Sequence, residues 1–145
     1  MVSGASRLRV VFMGTPVFAV ATLDALCDRG HQVALVVTQP DRPVGRGQKF
    51  NHQPTKLRAL ELGIEIFQPL RVTEEKSVDR ILETKPDVIV VVGYGQILSR
   101  EIFRFPGFGC LNVHASLLPS YRGAAPINWA IARGESVTGV TTMRI

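Results

Sequence analysis

Asn112 and His114 stand two residues apart in GCLNVHA, inside a short apolar run. If that run is a strand, both side chains leave the same face, because successive side chains alternate. Their Cα atoms would lie about 6.6 Å apart, close enough for both to reach one substrate atom. A carboxamide and an imidazole so placed suit a reaction in which a carbonyl oxygen acquires negative charge. Cys110 shares the face but lies four residues from His114. At about 13 Å that is too far for a thiol–imidazole pair, which argues against cysteine nucleophile chemistry. An isolated Asn-x-His also occurs as a hydrogen-bonded core pair. The loop SLLPSYRG, directly after His114, favours chemistry. Pro119 and Gly123 restrict its backbone, so it can present main-chain N–H and C=O groups to a flat heterocycle.

A second feature is electrostatic. Residues 41–58 hold Arg42, Arg46, Lys49, Lys56 and Arg58 against Asp41 alone, a local excess of four in a chain of net charge +5. A concentrated basic stretch points to a polyanionic partner. The alternative is a solvated loop.

The elements that must position these residues follow from periodicity and punctuation. LRVVFM, stopped by Gly14, predicts a buried strand; Thr15-Pro16 then offers a capping hydroxyl and a proline at the first helical position. The helix runs to Gly30, and Val33–Val37 is a second strand leading into the basic segment. A helix over residues 53–62, a strand over 64–67, a helix over 77–83 and the apolar strand DVIVVV come next. A short helix near 98–103, a strand over 109–115, a helix over 125–133 and a last strand, VTGVTTMRI, complete the chain. Strands alternating with helices predict an α/β, Rossmann-like, doubly wound and mostly parallel sheet with helices on both faces. Ligands of such sheets bind at the carboxyl ends of the strands, near the switch in strand order.

Several classes are excluded. At 145 residues the chain supports one ordinary domain, and 46% apolar with 20% charged residues describes a globular protein. No apolar run exceeds the five residues of Val88 to Val92, too short for a membrane span, and Arg7 and Arg9 interrupt any signal-peptide core. Two cysteines form neither a disulfide framework nor a metal knuckle. Pro16 and Ala19 stand where a dinucleotide fingerprint needs glycines. The expectation is a metal-free cytoplasmic monomer.

The string Asn112-x-His114-x-Ser116-Leu117-Leu118-Pro119-x-Tyr121-Arg122-Gly123 resembles the signature of the folate-dependent formyltransferases. FMGTPVFA, TQPDRPVGRGQK, VVGYGQIL, CLNVHASLLPSYRGAAPINWAI and ESVTGVTTM, in that order over residues 7–145, resemble the branch that formylates methionyl-tRNA. The basic insertion is the discriminating piece, since the glycinamide ribonucleotide and amino-sugar branches lack it. The resemblance implies formyl transfer from 10-formyltetrahydrofolate to the α-amine of methionine on initiator tRNA, through a tetrahedral intermediate, with no metal. It implies that Asn112 hydrogen-bonds the oxyanion and that His114 stabilises it and assists proton movement. Ser116, Leu117, Leu118 and Pro119 would line the folate site, and the backbone of Val92, Gly93, Tyr94, Gln96, Ile97 and Leu98 would grip the pterin. Arg42, Arg46 and Lys49 would contact tRNA, on a glycine-rich loop expected to be mobile without RNA. Tyr121, Arg122 and Trp129 are expected to shape and pack their loop.

The family pattern continues with an aspartate in G-L-D-T-G and a carboxy-terminal barrel, neither of which occurs before Ile145. The expectation is therefore an amino-terminal piece of a longer enzyme, without meaningful activity alone, with residues 1–6 a disordered extension. Another folate-dependent formyltransferase and an RNA-binding fragment without catalysis are the alternative readings.

Overall fold

A computed structural model describes residues 6–47 and 49–145. Most of the expected extension therefore lies outside the described residues. Five strands form a parallel sheet: β1 (Arg9–Gly14), β2 (Gln32–Val37), β5 (Ile66–Phe67), β6 (Val88–Val92) and β7 (Cys110–His114). β8 (Thr141–Arg144) adds antiparallel to β7, and the order across the sheet is β5-β2-β1-β6-β7-β8.

Each central strand is apolar on both faces because each face is covered. Val10, Phe12, Val36, Val88, Val90 and Val92 pack beneath α1 (Val17–Asp28) and α2 (Pro54–Glu61). Val11, Met13, Leu35, Val37, Ile89 and Val91 point the other way, toward α3 (Glu75–Leu82) and α4 (Arg100–Arg104). The alternation along β1 is the period-two geometry of a strand buried on both sides. Every expected helix and strand forms, within a few residues of its expected bounds.

Three local expectations change. The basic segment is not an open loop: β3 (Arg42–Val44) and β4 (Lys49–Asn51) pair as an antiparallel ribbon. Thr15 does not cap α1; Pro16, in extended conformation, is the N-cap residue. The Thr15 hydroxyl donates instead to the Tyr94 carbonyl (3.0 Å) and accepts the Gln39 amide (3.3 Å), tying together the ends of three strands. The last strand is shorter than VTGVTTMRI, pairing only from Thr141. Upstream, Gly139 lies so near Leu117 that a Cβ there would sit 2.5 Å from Leu117 Cδ2.

Candidate active site

The switch in strand order falls between β1 and β6. From β1 the chain builds outward through β2 to β5, then returns to the other side of β1 with β6. Helices that leave in opposite directions cannot cover the carboxyl ends of both strands, so a crevice opens there. Three segments meet at it: Gly14 to Phe18, the turn Gly93–Gln96, and the end of β7 with Asn112 and His114. Gly93 (φ +59°) and Gly95 (φ +92°) take left-handed conformations that side chains rarely adopt. They fold the turn tightly enough that a Cβ on Gly93 would lie 3.0 Å from Pro16 Cγ. Among the described residues, no main-chain hydrogen bond outside the regular elements uses the amide of Gly95 or Gln96.

Asn112 and His114 stand between two clefts. One, of about 510 Å³, is bounded by Pro16, Phe18, the Gly93–Gln96 turn and residues 123–128. The other, of about 680 Å³, is bounded by Leu118, Pro119, Arg122 and Met143. Both side chains line both clefts, so two bound molecules could meet at them. Volumes of this size, with mostly apolar walls and a few polar groups, suit small organic ligands. His114 Nε2 lies 2.8 Å from the Tyr121 carbonyl. Cys110, on the same strand, is fully buried, and burial pushes its thiol up to about 12, so it stays protonated and is no nucleophile.

A family model described as "Formyl transferase" matches residues 7–145. The chain belongs to the formyl transferase family. It is 55% identical over 138 residues to a methionyl-tRNA formyltransferase of Agathobacter rectalis, a match covering 95% of this chain and 44% of the relative. The chain thus spans less than half the length of the curated relatives it matches. Phosphoribosylglycinamide formyltransferase of Bacillus halodurans shares the fold, with a TM-score of 0.73 at 21% identity over 94% of this chain and 71% of that one. A formyltetrahydrofolate deformylase of Pseudomonas syringae superposes with a TM-score of 0.70 at 25% identity, over 97% of this chain and 47% of that one.

In this formyl transferase chain, the expected folate residues separate into two groups. Gly93, Tyr94 and Gln96 line the first cleft, and Leu118 and Pro119 the second. Val92, Leu98 and Ser116 are buried, whereas Ile97 and Leu117 are exposed, and none of these five bounds either cleft. The Tyr94 ring joins the core, where its hydroxyl has no partner among the described residues and burial raises its pKa. The Gln96 side chain is a brace: it accepts from the Val72 amide (2.8 Å) and donates to Pro69 O and Gln39 Oε1 (both 3.3 Å).

Pro16, Phe18 and residues 124–128 also wall the first cleft, although nothing in the sequence assigns them to a ligand. Only Pro126, at the first helical position of α5 (Pro126–Ala132), gave a signal, by fixing where that helix begins. Tyr121 and Trp129 flank Arg133, whose guanidinium lies 5.7 and 5.8 Å from their ring centres. Arg122 is more than packing, because it faces the second cleft.

The basic segment also divides. Lys56 pairs with Asp41, and Arg58 with Asp24 and Glu61. Arg42, Arg46 and Lys49 are exposed on the ribbon and, among the described residues, make no ion pair. Phe50 is exposed beside them, opposite Pro43 in the ribbon register.

Proposed function

We propose that this chain carries the formyl-transfer site of an enzyme that uses 10-formyltetrahydrofolate to formylate the α-amine of methionine on initiator tRNA. The observation that carries the reading is the placement of Asn112 and His114 on the partition between two clefts, one for each substrate. The donor supplies an activated formyl carbonyl. Its flat heterocycle suits the first cleft, where the Gly93–Gln96 turn offers main-chain groups. Asn112 donates to the formyl oxygen as negative charge develops there, which stabilises the transition state more than the ground state. His114 accepts a proton from the attacking amine as the new C–N bond forms, and returns it to the folate nitrogen as the bond from that nitrogen to the formyl carbon breaks, so the folate leaves as a neutral amine.

The ribbon supports tRNA as the acceptor carrier. Three exposed cations and an exposed aromatic on a protruding element suit a phosphate backbone with an unstacked base beside it. The likeness to a methionyl-tRNA formyltransferase agrees with this acceptor, and the likeness to a formyltetrahydrofolate deformylase agrees with the donor. A glycinamide acceptor would have no use for the ribbon.

The test uses a protein carrying this chain at the full length of its relatives, given 10-formyltetrahydrofolate and either initiator Met-tRNA or glycinamide ribonucleotide. Formyl-methionine on tRNA, and no product from the small acceptor, is the expected outcome. Turnover only with the small acceptor would overturn the proposal.

A further inference from the structure

Ser116 is fully buried and bounds neither cleft, yet its side chain is tied into the loop that touches His114. Its hydroxyl donates to the Ser120 carbonyl (2.7 Å) and stands 3.5 Å from the Tyr121 carbonyl. That Tyr121 oxygen is the one 2.8 Å from His114 Nε2. Thr141 straps the start of the same loop: its hydroxyl donates to Ser116 O (2.7 Å) and accepts the Leu118 amide (3.1 Å). Thr141 is also the β8 residue directly opposite His114 in the β7–β8 register. At the far end, Tyr121 holds φ +53°, unusual for a non-glycine residue, while its phenol bonds Glu135. Such a conformation persists only where its surroundings enforce it.

A carbonyl oxygen can only accept. The imidazole nitrogen facing it must therefore carry the proton, which leaves Nδ1 as the ring's one basic atom. We propose that Ser116 and Thr141 are positioning residues that hold the Tyr121 carbonyl on His114, keeping the neutral ring in its Nε2–H tautomer with Nδ1 free to accept the amine proton. The catalytic consequence rests on the proposed function; the tautomer itself does not.

The tautomer can be read directly on residues 1–145. In ¹⁵N-labelled protein at alkaline pH, long-range ¹H–¹⁵N correlations of His114 distinguish Nε2–H from Nδ1–H. The expected spectrum shows the Nε2–H form alone. Ser116→Ala and Thr141→Val should each increase the minor tautomer by roughly two- to ten-fold, the effect of losing one ordinary hydrogen bond. Ser116→Thr, which keeps the hydroxyl, should restore the single form. A mixed population in the unaltered chain would overturn the proposal. So would an unchanged tautomer ratio in both variants; if Ser116→Ala fails to fold, Thr141→Val decides alone. In the longer enzyme, Ser116→Ala should reduce kcat and leave KM nearly unchanged. If His114→Ala there leaves formyl transfer intact, the catalytic reading fails while the tautomer result stands.

Discussion

At the residue scale, Asn112 and His114 are distinguished from a core pair by what they face. Both are half-buried, and both border open clefts. Replacing Asn112 with Ala in the longer enzyme should lower turnover by about 10²–10³, the usual cost of losing one oxyanion donor, and His114→Ala should lower it by about 10²–10⁴, the usual contribution of a positioned general base. Thermal unfolding should shift little, since neither side chain fills the core; a large loss of stability with normal turnover would contradict the assignment. Cys110 sets the opposite expectation. Its thiol is buried and protonated, so it should resist alkylation in the native chain at neutral pH, while the more accessible Cys27 reacts first. Mass spectrometry of tryptic peptides after brief alkylation checks this, and Cys110→Val should leave formyl transfer intact.

At the element scale, the ribbon owes its placement to Asp41. That carboxylate accepts from His52 Nδ1 (2.9 Å), Gln68 Nε2 (3.2 Å), the Gln53 amide (3.4 Å) and Lys56, clasping both feet of the hairpin to α2. Burial alone would raise its pKa, but these donors outweigh it and hold the carboxyl well below the usual range. Its contribution to stability is therefore present at neutral pH and is lost as pH falls below about 4, where the unfolded carboxylate begins to bind protons. Asp41→Asn should flatten that acid limb of the stability curve, measured by urea unfolding from pH 7 down to pH 3. The ribbon's own cations predict a different readout. Alanine at Arg42, Arg46 and Lys49 together should reduce the slope of log affinity for initiator tRNA against log salt, by somewhat under one unit for each phosphate left without its cation. An unchanged slope would mean that the ribbon is merely solvated. Gly14 carries a packing prediction: a Cβ there would lie 2.8 Å from Phe12 Cε1, 2.9 Å from Ala19 Cβ and 3.0 Å from Val92 O. Gly14→Ala should cost about 1–3 kcal/mol, because the strand and helix must separate to admit it.

At the scale of the molecule, the first cleft is assembled from segments distant in sequence, namely Pro16 with Phe18, and residues 93–96, 112–115 and 123–128. A ligand that bridges them binds only the folded sheet and must stabilise it. A folate held at 100 times its Kd should therefore raise the unfolding free energy by about 2.7 kcal/mol, visible as a higher Tm. A folate that leaves the Tm of residues 1–145 unchanged at high concentration would show that this cleft is not its site.

Much was legible in the linear chain because its signals are local. The apolar runs of β1 and β6 and the glycines that close them announce a sheet buried on both faces, since only a covered strand tolerates apolar residues at every position. Asn112 and His114 were legible for the same reason: a period of two puts both on one face wherever the strand lies. The fate of each polar side chain was not legible, because it depends on partners remote in sequence. Thr15, suited to cap a helix, is drawn away by a carbonyl 79 residues distant; Lys56 and Arg58, counted with the basic segment, are neutralised by Asp41 and by Asp24 with Glu61. Ser116, placed by its motif beside a ligand, turns inward to hold a loop. Only the tertiary structure decides such contests, because a buried polar group must take whichever partner the packed chain brings within hydrogen-bond reach.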